Sequence, residues 1–253
     1  MSGDVRFNGA GIRLAVTLEP KRLVITIDGP AGSGKSTVSK ILAKRLGYIY
    51  VDTGAMYRAV AVLARDSGEP NPLDEPLLEA ICSELDLRFV SKNGEPRLLA
   101  NGRDVTEEIR KPEISSLASA VSARAVVRER LFDIQRSMGS AGGVVLEGRD
   151  MGTVVFPDAD IKFFLDAGPD IRSQRRYLEL EAKGEKVAPA EVHQQMLERD
   201  RNDRNRPLAP LKAAADAIVV DSSNLMIEEV VQLMLDHIGA KRKVHSVMAG
   251  QND

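Results

Sequence analysis

The stretch 23-LVITIDGPAGSGKSTVSKILAKRLG-47 decides the fold. Its first six residues, 23-LVITID-28, hold the β-branched run Val24 to Ile27 before Asp28, which predicts a strand over 23–28. From Ser36 the pattern changes: Val38, Ile41, Leu42 and Leu46 recur at helical spacing, and Gly47 supplies a stop. The turn between them, 29-GPAGSGKS-36, fits G-x-x-x-x-G-K-[ST] in full. Gly29, Gly32 and Gly34 let the backbone curl until its N–H groups converge on one anion, and the positive end of the following helix adds to the attraction. In such a loop Lys35 neutralises the outer phosphates of a nucleotide, and the Ser36 hydroxyl can ligate magnesium. A mere glycine-rich turn is the competing reading, but a strand before and a helix after both favour the phosphate loop.

Working outward, 48-YIYVD-52 predicts a second strand and 53–68 a second helix, with Met56, Val60, Leu63 and Ala64 on one side. Strand, helix, strand in that order calls for a parallel sheet covered by helices. Pro70, Pro72 and Pro76 interrupt the alternation. A helix near 74–84 then precedes strands at 85–90 and 98–105 separated by the turn 91-SKNGEPR-97, a small antiparallel insertion. One long helix is expected over 112–138, strands over 143–150 and 160–166, a basic helix over 170–183 and another helix over 190–204. The last strand is expected over 217–223 and an amphipathic helix over 225–238. The fold class is therefore α/β: a five-stranded parallel sheet flanked by helices, with the antiparallel insertion and a helical lid. Residues 1–21 show no period and read as a loose extension, 22–240 as the core, and 241–253 as a frayed polar tail.

At 253 residues and 43% hydrophobic content the chain can bury a sizeable core. A formal charge of -2, a pI near 6.0 and ten aromatic side chains argue against a nucleic-acid coat. Cys82 is the single cysteine, so no intrachain disulfide or multi-cysteine metal site is available. The sequence shows neither a secretory leader pattern nor an apolar run of about 20 residues, so a cytoplasmic protein with no membrane partner is expected, and a monomer.

Two further stretches bear on chemistry. In 198-ERDRNDRNRPLAP-210 four arginines alternate with acids and amides. Helical spacing puts Arg199, Asp203 and Arg206 on one face and pairs Asp200 with Arg204 on another, and Pro207 ends the helix at Arg206. A solvated charged face is the ordinary alternative, and it suits Arg201 best. In 172-RSQRRYLEL-180, Arg172, Arg175 and Arg176 share a face that a closing lid could bring to phosphates, or that Glu179 and Glu181 could simply neutralise.

Taken together, 24-VITIDGPAGSGKST-37, 52-DTGAMYR-58, 104-DVTEEIR-110, 147-EGRDMGTVVFPDA-159 and 198-ERDRNDRNRPLAPLKAAADAIVVDS-222 make the chain resemble the bacterial cytidylate kinases over residues 23–238. The resemblance implies a P-loop kinase core with a monophosphate-binding insertion at 73–112 and a lid at 170–206. It implies transfer of the γ-phosphoryl group of ATP to CMP or dCMP, with magnesium as cofactor. On it, Gly29, Pro30, Ala31, Gly32, Ser33, Gly34, Lys35, Ser36 and Thr37 hold ATP, with Ser36 also at the metal. Thr53, Arg58, Ser119, Arg128, Arg149, Asp150, Asp203 and Arg206 take the acceptor, Arg199 supports its sugar, and Lys35, Arg206 and the lid residue Arg175 act on the transferred group. Asp150 and Arg128 also have the right chemistry for cytosine, whose edge presents an amino donor beside two acceptors. A turn aspartate and polar helix faces remain the plain alternatives for Asp150, Arg128 and Ser119, and a surface arginine for Arg58. The family usually carries Asp where this chain has Glu147, so Glu147 is left outside the site. A kinase of another small acceptor, such as UMP, AMP or shikimate, is the nearest rival. A nucleotide-binding switch is the more distant one, and the Asn-Lys-x-Asp stretch a guanine switch needs is absent from the sequence.

Overall fold

The computed structural model describes residues 22–92 and 95–249, together with the short strands β1 (Val5–Phe7) and β2 (Arg13–Ala15), which pair antiparallel. The rest of the predicted extension 1–21 and of the tail beyond 249, and the Asn93–Gly94 part of the expected turn, lie outside the described residues.

The phosphate-loop strand is β3 (Val24–Asp28), and it occupies the middle of the main sheet. Helix α1 (Lys35–Leu46) follows it, then β4 (Ile49–Asp52) and α2 (Thr53–Asp66). Later strands β8 (Val144–Gly148), β9 (Ile161–Asp166) and β10 (Ile218–Asp221) complete a five-stranded sheet in the order β10-β9-β3-β8-β4, every pair parallel. Strands buried on both faces need apolar residues in succession rather than alternation. Ile25, Ile27 and Val145 point to one layer, where they meet Val38 and Leu42 of α1 and Val231, Met234 and Ile238 of α8 (Ile227–Ala249). Val144 and Leu146 point to the other, against Met151 and Phe156. The largest cluster lies beyond, around Met56, Val60 and Ala64 of α2. None of the described helices is long and apolar enough to cross a membrane.

Between α2 and β8 lie α3 (Glu75–Ser83), the strands β5 (Leu87–Lys92), β6 (Glu95–Ala100) and β7 (Arg103–Asp104), then α4 (Pro112–Val121) and α5 (Ala125–Gly139). Two expectations change here. The strand expected over 98–105 is two strands, because Asn101 and Gly102 both adopt positive φ (49° and 79°) and turn the chain back on itself, giving the antiparallel order β5-β6-β7. The long helix expected over 112–138 is also two. The Ser122 hydroxyl donates back to the Ser119 carbonyl at 2.8 Å, and Arg124 is extended (φ -85°, ψ 129°). Such a serine competes with helix continuation without glycine or proline to announce it.

Helices α6 (Pro169–Ala182) and α7 (Pro189–Asn205) form a separate pair over Leu180, Val192 and Met196, above the phosphate loop. Helix α8 continues to Ala249, so residues 241–249, expected as a frayed tail, carry helical backbone.

Candidate active site

Strands β3, β4 and β8 end at one edge of the sheet, where open α/β folds collect ligands. A cleft of about 650 Å³ opens there, lined by the phosphate loop, the starts of α1 and α2, α4, the 147–150 stretch and the facing sides of α6 and α7. That volume is in the range of small-molecule sites.

The donor side is built mostly of backbone. Gly29 has φ 150°, and a Cβ there would lie 2.0 Å from the Leu165 carbonyl oxygen, so no larger residue lets the loop leave β3 beside β9. Gly34 caps α1 in the left-handed region (φ 90°), and the α1 N-terminus faces the cleft. The Lys35 ammonium is buried and folded back onto the Pro30 carbonyl (2.6 Å) and Ser33 Oγ (3.4 Å). Burial, with the nearby Arg149 charge, pushes its pKa down to about 7.

Ser36 Oγ donates to Glu147 Oε1 at 2.7 Å, and the Tyr50 hydroxyl donates to the same oxygen at 2.7 Å. Glu147 Oε2 is buried with no hydrogen-bond partner. Burial and then Asp52 raise the Glu147 pKa. A carboxylate oxygen left bare beside the Ser36 hydroxyl is a suitable donor set for a hard cation. Among the described residues no group of three or more His, Cys, Asp or Glu is placed to hold a metal, so a cation here would draw its other ligands from phosphate and water. Glu147, left out on sequence grounds, lines the cleft, and Tyr50, which nothing in the sequence marked, holds it from behind the lining.

The acceptor side is built of side chains from several elements. Thr53 donates to the Glu147 carbonyl at 2.6 Å, and Arg58 pairs with Asp52 at 2.8 Å, one turn into α2. Arg149 pairs with Asp203 of α7 at 2.9 Å. Asp150, almost fully buried, is gripped by two guanidinium groups, Arg128 of α5 through Oδ2 and Arg206 through Oδ1 at 3.3 Å. Arg206 caps α7 in an extended conformation just before Pro207, and its Nε donates to the Ala209 carbonyl at 2.7 Å. Ser119 lines the same wall, together with Tyr57, Ile109, Ser115 and Ser122. After the break between α4 and α5, Ser119 lines the pocket while Arg128 stands behind the lining, on Asp150 and with its guanidinium 5.9 Å from the Tyr57 ring centroid.

Of the arginine run, Arg199 faces the cleft beside Asp203 while Arg201 and Arg204 are exposed. Arg199 Nε has no partner, and burial, then Arg149, pushes its pKa down to about 10. The predicted Asp200–Arg204 pair does not form, because Asp200 is buried against Arg172 Nη2 at 2.5 Å. That contact also corrects the shared-face reading of α6. Arg172 points inward and donates to the carbonyls of Ala167 (2.8 Å) and Ala31 (3.1 Å), fastening the phosphate loop to α6 and α7. Arg175 and Arg176 do line the cleft. Arg175 is anchored to the oxygen atoms of Ser222 at 3.1 and 2.7 Å, and Arg176 to Glu179 at 2.8 Å, while Glu181 takes a hydrogen bond from Tyr177 instead.

The result is a cleft with Lys35, Arg58, Arg110, Arg149, Arg175, Arg176, Lys183, Arg199 and Arg206 around it, in excess of the carboxylates Asp52, Glu147, Asp150, Glu179 and Asp203. The excess positive charge in a partly dry space favours anions, and two facing phosphate groups would supply them. Comparison with known proteins agrees. The family model described as cytidylate kinase matches residues 25–240. The cytidylate kinase of Geobacter sp. (strain M21) is 53% identical over 212 residues, covering 84% of this chain and 91% of its own. That of Geobacter sulfurreducens shows the same identity and coverage. The enzyme of Syntrophotalea carbinolica is 48% identical over 224 residues, covering 88% of this chain and 95% of its own. With a phosphate loop, a cation-lined acceptor wall and a match across nearly all of the described core, the chain belongs to the cytidylate kinase family.

Proposed function

We propose that the cleft carries out the family's reaction with the residues that line it, transferring the γ-phosphoryl group of ATP to CMP or dCMP and giving ADP with CDP or dCDP. The observation that carries this reading is the joining, in one cleft, of the phosphate loop to Asp150 and Arg206, with Arg128 bonded to Asp150 behind them. Within 29–37 the backbone N–H groups, which Pro30 lacks, cradle the ATP phosphates, and Lys35 exchanges the Pro30 carbonyl for the outer phosphates. Asp150 accepts from the cytosine amino group while Arg128, beside Ser119, offers donors to the ring acceptors. Arg58, Arg149 and Arg206 hold the acceptor phosphate, Thr53 packs beneath it, and Asp203, supported by Arg199, takes the sugar. A CMP phosphate oxygen attacks the γ-phosphorus as the bond to the bridging oxygen of ADP breaks. Because that nucleophile is already ionised above about pH 6, no side chain has to act as base. Positioning and charge do the rest.

Ser36 and Glu147 are the residues that would hold magnesium, which when bound neutralises charge across the β- and γ-phosphates. Helices α6 and α7 act as the lid, bringing Arg175 to the transferred group and shutting out water. The insertion at 73–112 forms the outer wall of the acceptor pocket, and the working unit is a monomer in the cytoplasm. Release of ADP, followed with CMP, dCMP, UMP and AMP in parallel, tests the assignment. CMP or dCMP should be preferred, and turnover of UMP or AMP about tenfold better than CMP contradicts it.

A further inference from the structure

Asp28 closes β3 and immediately precedes Gly29, and the phosphoryl-transfer scheme gives it no task. It is nonetheless buried, 4% exposed, where a carboxylate is costly unless bonded. Its Oδ1 accepts the Met151 N–H at 2.9 Å and its Oδ2 the Gly152 N–H at 2.7 Å. Those are the first two N–H groups of the wide helical turn Met151–Val155, of the kind that has no partner within the turn. The residue that would ordinarily cap such a turn is the one before it, here Asp150. Asp150 makes no cap bond, and its carboxylate is turned instead to Arg128 and Arg206. The turn is also pressed on β3, since a Cβ on Gly152 would come within 3.0 Å of Thr26 Oγ1. Asp28 thus spans the two halves of the cleft: its backbone runs into the phosphate loop, and its side chain holds the start of the turn that carries Asp150.

We infer that Asp28 is a positioning residue that caps the 151–155 turn in place of Asp150, leaving the Asp150 carboxylate free for the acceptor base and fixing the spacing between acceptor loop and phosphate loop. The inference rests on the proposed contact between Asp150 and the acceptor. Burial pushes the Asp28 pKa up to about 6 against the pull of its two N–H partners, and Asp150, Lys35 and Arg149 are the charged groups that face it.

Asp28→Asn keeps the shape but leaves one oxygen to accept and turns an amide N–H₂ toward the other N–H. Steady-state kinetics should show the CMP KM raised about tenfold while the ATP KM moves by less than about twofold. In the Asp150→Ala background the same substitution should add less than about twofold to the loss on CMP, because both changes act on one element. Should Asp28→Asn not fold, Asp28→Glu keeps both acceptors and displaces the turn by one methylene, and it has to show the same CMP-selective rise. If Asp150→Ala alone leaves CMP use intact, it is the acceptor assignment that fails. If Asp150→Ala impairs CMP use but the Asp28 variants raise both KM values in parallel, leave both unchanged, or add their full loss to that of Asp150→Ala, the positioning role is overturned.

Discussion

The two halves of the cleft are made of different material. The donor half is nine consecutive residues, 29–37, whose working groups are mostly backbone N–H, shaped by glycines and aided by the dipole of α1. The acceptor half draws single side chains from α2, α4, α5, the loop after β8 and the end of α7, and its arginines Arg58, Arg128, Arg149 and Arg206 are each paired with a carboxylate. A backbone cradle is preorganised and general for phosphate, whereas a mesh of ion pairs can be tuned to one base but must exchange partners when substrate arrives. On the proposed assignment, specificity belongs to the acceptor half and rate chiefly to charge at the junction.

Lys35→Ala strikes that junction and should have the largest effect. Turnover is expected to fall by about 10²–10³-fold, the scale for removing one electrostatic contact to the transferred group, with the CMP KM little changed. A fall in CMP affinity as large as the fall in turnover would erase the division between the halves.

A smaller effect sharpens the same boundary. With its pKa pushed down to about 7, Lys35 is largely neutral in the free protein at pH 8, and phosphate beside it restores the charge. ATP binding should then take up close to one proton at pH 8 and about none at pH 6, with affinity falling as pH rises through 7. Calorimetry in buffers of different ionisation enthalpy measures this directly. Uptake that persists in Lys35→Ala would assign the proton to another group.

The smallest effect is expected at Arg201. Its side chain is exposed on the far side of α7, so Arg201→Ala should change stability and both KM values by less than about twofold. A larger loss would mean that α7 turns in the working enzyme to bring a different face to the substrate.

The same contrast decides what could be read in advance. The phosphate loop was legible because strand, turn and helix are contiguous and each residue type has one reason to be there. The sheet strands were legible because burial on both faces leaves unbroken apolar runs. Acceptor residues were reached largely through family resemblance, since the spacing of Ser119 and Arg128 does not reveal that a Ser122 side chain breaks the helix between them. Helical periodicity put Arg172 with Arg175 and Arg176, but it gives a shared face and not the layer that face meets, so the inward contact with Asp200 was invisible. Glu147 was set aside for its extra methylene. The structure shows Tyr50 and Ser36 both donating to one Glu147 carboxylate oxygen, with the other left bare in the cleft wall.

The central claim, that cytosine is read by Asp150 within its arginine pair, is tested most directly by calorimetric titration of CMP and UMP into the wild-type protein and Asp150→Ala. The wild type should prefer CMP by more than about tenfold, and Asp150→Ala should bind the two nucleotides within about threefold of each other. An Asp150→Ala protein that keeps the full preference for CMP would contradict it.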